Sequence, residues 1–533
     1  MKHYIASLLL GAATLGTSST LTSCNDYLDK YPDKRMELRT PDHLAQLLTS
    51  AYPQVHPAYL LEMYSDNTDR HLSPSWAEVD RFQREAYQWD DITDVGENES
   101  PQMIWNSHYL AVNTANEVLS FISKQKDQSA FRAQSGEAKL CRAYAMLCLA
   151  NVFCEAYDPA TAASHLGLPY PTEPEDRPGI TYQRGTLAEL YAHIDKDITE
   201  GLAEVGSTYT TPKFHFTPEA AHAFAARFYL YKQDWQKAVD HATKALGNQP
   251  GNQPGNQLRN WALWNKQGLN GEAMPNEYVR SSAKTNLLLQ VVISAWGLYS
   301  GPYGTGGRYC HGRSISDKET FNSTGPWGES ESAFNYTVGS NSGQPQITLK
   351  KLPINFKFID REAGIGSYYS EYSVFNADET LLVRAEAYAH LKQYAQATAD
   401  INTEMTAFAR KPKTFTTTQL ADFYKKVKYY RPDSATVRKA FHISEPLDTT
   451  TQEPLLQCIL HLRRILTVHE GLRMQDVKRY GITIYRRDFD ANDKFVTVTD
   501  SMPAGDPRRA IQLPQDVISA GLTPNPRKTP TAK

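Results

Sequence analysis

The sequence predicts a mainly α-helical protein: a single large globular body with helical hairpins along one side and loop-rich, irregular chain on the other. Three observations predict it. Apolar residues recur at helical spacing in paired segments separated by short polar breaks. Alanine occupies positions where the paired stripes would touch. Long stretches rich in Gly, Asn, Ser and Pro interrupt the pairs. At 533 residues the chain is long enough to bury a large core.

The N-terminus reads as an address rather than as part of the fold. Lys2 begins a short positive region, and residues 4–15 form an apolar run too short to span a bilayer comfortably. Leu21-Thr22-Ser23-Cys24 follows, resembling the bacterial lipobox, in which two small residues let the signal peptidase reach the backbone and the Cys thiol takes a lipid before cleavage. The expectation is a lipoprotein signal peptide over residues 1–23, a lipidated Cys24 and one globular domain over 24–533. An ordinary secretory signal with a chance Cys is the alternative. Acyl chains hold a protein on a bilayer at about 0.8 kcal/mol per buried methylene, so a multiply acylated Cys24 needs no spanning helix. The apolar run at residues 287–296 is too short to be one.

The helices come in pairs. Residues 105–122 form an amphipathic helix. Leu140, Ala143, Tyr144, Leu147 and Cys148 mark another, with a mate at residues 187–202. Ala221, Phe224, Ala225, Phe228 and Tyr229 form one stripe, and after residues 232–234 Trp235, Ala238, Val239, Ala242 and Leu246 form a second. Leu381, Ala385 and Tyr388 pair in the same way with Tyr394, Ala397, Ile401 and Phe408. Small Ala side chains at the contact and a large ring at the turn, with Trp235 expected to be buried there, make a tetratricopeptide-like hairpin. One hairpin cannot bury its own apolar face, so several must stack.

Between the pairs, GNQPGNQPGNQ over residues 247–257 reads as an exposed low-complexity loop. Residues 297–346 form a long interruption that carries Tyr299, Tyr303, Tyr309, Trp327 and Tyr336, and loops of this length in a compact domain are usually functional or disordered.

Composition narrows the chemistry. The 56 Lys and Arg against 59 Asp and Glu leave no charge excess for neutralising phosphates, which argues against nucleic acid as a partner. Cys141 and Cys148 sit seven positions apart on a predicted helix, about 10 Å, too far for a disulfide. No spacing of Cys and His suggests zinc, and no cofactor motif is present. Signatures of catalysis are missing: there is no G-x-S-x-G, no H-E-x-x-H and no Walker loop. GPYGTGG at residues 301–307 lacks the GK[ST] and the following helix, and reads as loop. With 31 Tyr and 8 Trp in a polar chain, many rings should keep one edge wet, and a minority could form a binding platform.

Seven segments, in order, resemble the SusD/RagB family. Cys24-Asn25-Asp26-Tyr27-Leu28-Asp29 is similar to its lipidated start. WNSHYLAVNTANEVL at residues 105–119 resembles its early W..Y..I...N..L helix, and GEAKLCRAY at 136–144 its G-E-A-x-x-x-R-A-Y helix. RAEAY at 384–388 and ADIN at 399–402 resemble two further motifs. Glu470-Gly471-Leu472-Arg473 with Asp476, Lys478 and Arg479 is similar to E-G-x-R-x-x-D-[LV]-x-R, and Asn525-Pro526 falls where the family ends. Glu470, Arg473 and Asp476, three apart on one expected helix, are spaced for alternating-sign pairs, and Glu137, Arg142, Arg384 and Glu386 are read likewise as packing and pairing residues.

The resemblance implies a non-catalytic lipoprotein on the surface of a Gram-negative outer membrane. It would capture oligosaccharide and deliver it to a SusC-like TonB-dependent barrel as that barrel's lid. The same role with peptide ligands is one alternative, and a surface hydrolase or a scaffold is another of a different class. The family draws its site from early and late loops. Here these carry Trp76, Trp89 and Asn98 early, and Tyr303, Trp327 and Tyr336 late; loop packing is the other role open to Trp76 and Trp89.

Overall fold

The computed structural model describes residues 40–72, 81–96, 98–175, 181–247, 257–263, 273–297, 307–340 and 345–527. Residues 1–23 and Cys24, Trp76, Tyr303 and most of the GNQPGNQPGNQ loop lie outside them.

The fold begins with α1 (Pro41–Leu48), capped by Thr40 and started by a Pro whose missing N–H costs nothing there. Then come α2 (Ala58–Tyr64), strand β1 (Asp69–His71) and α3 (Arg81–Gln88). The helix expected from residue 105 is α4 (Pro101–Ser123), extended one turn by the Ser100 cap, whose hydroxyl accepts from the Met103 N–H. Next are α5 (Arg132–Phe153) and its mate α6 (Leu187–Glu204), which carries a capping box from Thr186 and Glu189. These two helices approach closely where Gly136 and Gly201 face each other. A Cβ on Gly201 would lie 2.7 Å from Leu140 Cγ, and one on Gly136 would lie 2.4 Å from the Val205 nitrogen.

The two tetratricopeptide-like hairpins form as expected: α7 (Pro218–Tyr231) with α8 (Trp235–Ala245), and a later pair over Ala377–His390 and Tyr394–Phe408. Both turn through a non-glycine residue in the left-handed region, Gln233 (φ 63°) and Lys392 (φ 59°). Each turn is a Schellman arrangement: Asp234 N–H reaches Tyr229 O at 2.9 Å, and Gln393 N–H reaches Tyr388 O at 2.8 Å. Trp235 departs from expectation. Its ring is half-buried, stacked 3.9 Å from and nearly parallel to His390 of the next hairpin, so it joins two hairpins rather than filling one.

Strand β2 (Asn286–Ile293) is the apolar run of residues 287–296. Among the described residues no helix is long and apolar enough to cross a membrane. After β3 (Tyr309–Cys310) and α9 (Arg313–Glu319) come β4 (Asn355–Asp360) and β5 (Ile365–Asn376). The second hairpin is α10 (Ala377–His390) and α11 (Tyr394–Phe408), followed by α12 (Thr417–Lys426), the fully buried α13 (Gln452–Leu466) and α14 (Arg473–Arg479). The chain then forms β6 (Ile484–Phe489) and β7 (Phe495–Met502).

Two sheets of more than two strands form among the described residues, neither expected from the sequence. One is antiparallel, ordered β2-β5-β4; the other is ordered β7-β6-β1-β3, with β1 parallel to β6 and antiparallel to β3. The family-like charges prove to be pairing residues, with partners further off than expected. Arg142 makes a bidentate pair with Asp197 of α6 (2.6 and 2.8 Å) and donates to Asn116, while Glu137 accepts from Tyr52. Arg384 pairs with Asp400. Glu470 does not share a helix with Arg473 and Asp476. It sits in the turn before α14, where Gly471 has φ 75° and a Cβ would lie 2.5 Å from Ala58 Cα, and it pairs with Lys351. Arg473 reaches Asp66, and Asp476 reaches Arg463 and Arg479. Cys141, Cys148, Cys154, Cys310 and Cys458 are free and buried.

Candidate functional site

The four-stranded sheet pairs residues 69–71 with residues 309–310. β1 and β3 pair antiparallel, with Asp69 opposite Cys310 and Arg70 opposite Tyr309, and His71 N–H donates to Arg308 O at 2.8 Å. The C-terminal end of β1 and the start of β3 therefore lie at the same end of the sheet. A second tie lies nearby: Glu99, next to the half-buried Asn98, accepts from the Ser294 hydroxyl (2.5 Å) and the Ala295 N–H (3.0 Å), just before the late segment.

The ground beneath this end of the sheet is rigid and charged. Arg70 makes a bidentate pair with Asp488 of β6 at 2.8 and 2.6 Å, and Tyr87 stacks obliquely on Tyr309 with ring centres 4.8 Å apart. Deeper, Glu62 accepts from Asn67 and from the Gly471 N–H. Burial nonetheless pushes its carboxyl up to about 7, against those two hydrogen bonds. Burial likewise lowers His311 to about 3, so this ring is neutral between Asn67 O and the Thr320 hydroxyl. Among the described residues no group of three or more His, Cys, Asp or Glu could hold a metal ion.

Three of the six rings and amides expected at the site are core residues. Trp89 is buried with φ 58°, donates its indole N–H to Tyr64 O at 3.0 Å, and lies under the Arg486 guanidinium, 4.0 Å above its ring. Trp327 is buried against His461 and Phe334 and donates to the Ser330 hydroxyl. Tyr336 is fully enclosed by Phe321, Phe334 and Phe408 and donates to Phe321 O. All three pack loops; none presents a face to solvent. Asn98 is half-buried, next to Glu99. Trp76 and Tyr303 lie outside the described residues.

Concavities lie elsewhere among the described residues. A groove of about 820 Å³ runs between the β2-β5-β4 sheet and residues 211–215, with Val291, Lys357 and Tyr369 on its walls. A pocket of about 180 Å³ opens beside the Trp235–His390 stack. A third, of about 270 Å³, lies against α4. The last went unseen in the sequence because its rings, Trp105 and Tyr109, have helix-packing spacing and its other wall comes from a distant loop.

Residues 26–230 match a family model described as SusD-like, starch-binding and associating with the outer membrane. No curated protein matches the chain. Solved structures share its fold. A SusD superfamily protein from Bacteroides thetaiotaomicron is 19% identical with a TM-score of 0.60, over 92% of this chain and 100% of that one. A SusD-like carbohydrate binding protein from Bacteroides vulgatus is 16% identical with a TM-score of 0.61, over 90% and 96%. A laminarin-binding SusD-like protein is 17% identical with a TM-score of 0.52, over 91% and 97%.

Proposed function

We propose that the chain is a SusD-like protein: a non-catalytic surface lipoprotein that captures oligosaccharide for a SusC-like TonB-dependent barrel and closes that barrel as its lid. Cys24 is the lipid anchor in this reading, with residues 1–23 as its signal peptide and 24–533 as the binding domain. The observation that supports the site is the antiparallel pairing of β1 with β3, which sets His71 beside Arg308; we assign Trp76, Tyr303 and Asn98 to the site. Sugar rings present C–H faces that stack on Trp and Tyr, and their hydroxyls suit amide and carboxylate partners. The relatives whose names state a ligand bind carbohydrate or laminarin, which favours glycan over peptide.

A binding screen against neutral oligosaccharide and peptide pools tests the ligand class. Oligosaccharide should bind, and the Trp76→Ala, Tyr303→Ala double variant should weaken it about tenfold, equivalent to about 1.4 kcal/mol. Binding of peptides alone would overturn the glycan reading in favour of the peptide one.

The anchor and the lid are tested together by mild-detergent purification of the tagged protein from its native membrane after labelling with palmitate. The protein should carry label and emerge with a barrel, and Cys24→Ala should carry none. Label on Cys24→Ala would refute the anchor. Unaccompanied protein, with the barrel present in the same extract, would leave an independent surface binder.

A further inference from the structure

The 270 Å³ pocket against α4 has a composition that selects a ligand. One wall is Trp105 and Tyr109, one helical turn apart with ring centres 4.7 Å apart, and Tyr182 adds a third ring. The remaining polar lining is acidic, amide or hydroxyl: Glu173, Glu175, Asn113, Asn116 and Thr181, with no Lys or Arg among the lining residues. The opposite wall is bolted in place. Asn116 donates to both Pro171 O and Glu173 O at 3.1 Å, Asn113 accepts from the Glu175 N–H at 2.8 Å, and Tyr109 donates to Pro169 O at 2.9 Å. The pocket therefore exists before any ligand arrives, as small-molecule sites usually do.

Trp105 supplies the decisive detail. It is 9% exposed, with the edge of Phe153 against it at 5.4 Å. A largely buried indole N–H normally finds an acceptor. That of Trp105 donates to no described residue, and it is not sealed from solvent. An occupant must then offer an acceptor to the indole, donors to the two carboxylates and an apolar face to the rings. Hydroxyls on a saturated ring do all three. An anion would face Glu173 and Glu175 with no compensating cation. An ammonium group would suit the rings and the acids but cannot accept from the indole. The volume lies near the low end for small-molecule sites, about 300–1,000 Å³, which suits one sugar ring rather than a chain.

We propose that this pocket is a second carbohydrate site, formed by α4 with residues 169–175 and 181–182, which takes a single pyranose of a neutral glycan. The sugar's C–H face lies on Trp105 and Tyr109, and its hydroxyls bridge the indole N–H to Glu173 and Glu175. Its elements differ from those of the β1–β3 edge, so it is independent of the main site.

The test is indole N–H spectroscopy of the protein labelled with ¹⁵N-tryptophan. Eight Trp give eight indole signals, and Trp105→Phe identifies its own by loss. Methyl glucoside and methyl galactoside are the neutral probes, glucuronate the anionic one and choline the cationic one. The Trp105 signal should shift saturably with at least one neutral glycoside and with neither charged probe. Tyr182→Ala should weaken that titration at least fivefold, and Trp76→Ala with Tyr303→Ala should leave it unchanged. A Trp105 signal unmoved by both glycosides overturns the proposal, even where oligosaccharide still binds and depends on Trp76 and Tyr303. A shift with choline or glucuronate overturns the ligand class. A shift with glycoside, in a protein whose oligosaccharide affinity ignores Trp76 and Tyr303, would keep this pocket and remove the main site.

Discussion

Arg463→Met should destabilise the protein by about 3–5 kcal/mol, because it removes the middle member of a buried chain of alternating charges. The chain runs Arg227, Glu379, Arg463, Asp476, Arg479, Glu386 and joins α7, α10, α13 and α14. Arg463 is fully buried and bonds Glu379 at 2.8 Å and Asp476 at 3.0 and 3.2 Å. Three arginines balance three acids; the substitution leaves two against three in a dry interior. Burial opposes the charge on Glu379, yet Arg227 and Arg463 outweigh it and hold that carboxyl below its ordinary range, so the acid cannot easily neutralise itself. Arg463→Lys keeps the charge but loses the planar fork, and should fall between the two. Guanidinium unfolding measures all three proteins. A midpoint for Arg463→Met equal to the parent's would mean that the network contributes no net stability.

This network marks the limit of what the sequence discloses. The helices were legible because their signal is local: Ala221 to Tyr229 and Trp235 to Leu246 each repeat within one element. That Arg142 and Asp476 pair rather than react was legible too, from their helical setting. Their partners were not. Arg142 meets Asp197 on another helix, and Arg473 meets Asp66 from the opposite end of the chain. The sheets were missed for the same reason. β1 is three polar residues, Asp69, Arg70 and His71, and becomes a strand only because residues near 309 and 488 lie on either side. Ring counting misled at Trp89, Trp327 and Tyr336. A long irregular segment needs its own small core, and Trp327 and Tyr336 build one with Phe321, Phe334 and Phe408. Aromatic density alone cannot tell a ring spent on packing from one left facing water.

Glu319→Gln should have an effect of similar size, and acid should erase it. Glu319, at the end of α9, is 1% exposed and serves three cations: Lys439 at 2.5 Å, Arg464 at 2.8 Å and Arg487 at 3.1 Å. Asp66 and Asp69 are the other acids of this cluster, and Arg473 is a fourth cation. Without Glu319, two acids would face four cations. Burial alone would raise its pKa, but Lys439, Arg464 and Arg487 overcome burial and lower it from 4.5 to about 2. A folded-state pKa below the unfolded one means that the unfolded chain binds the proton first as pH falls. The stabilisation is therefore fully present above pH 4.5, declines as pH falls below it, and is gone once pH passes below about 2. The shift corresponds to about 3 kcal/mol, in line with the roughly 3–5 kcal/mol expected for breaking a buried pair. Unfolding free energies of the parent and Glu319→Gln should differ by that amount at pH 7 and converge as pH falls from 4.5 toward 2. A gap that stays constant across this range would mean that Glu319 acts through shape and hydrogen bonding rather than through its charge.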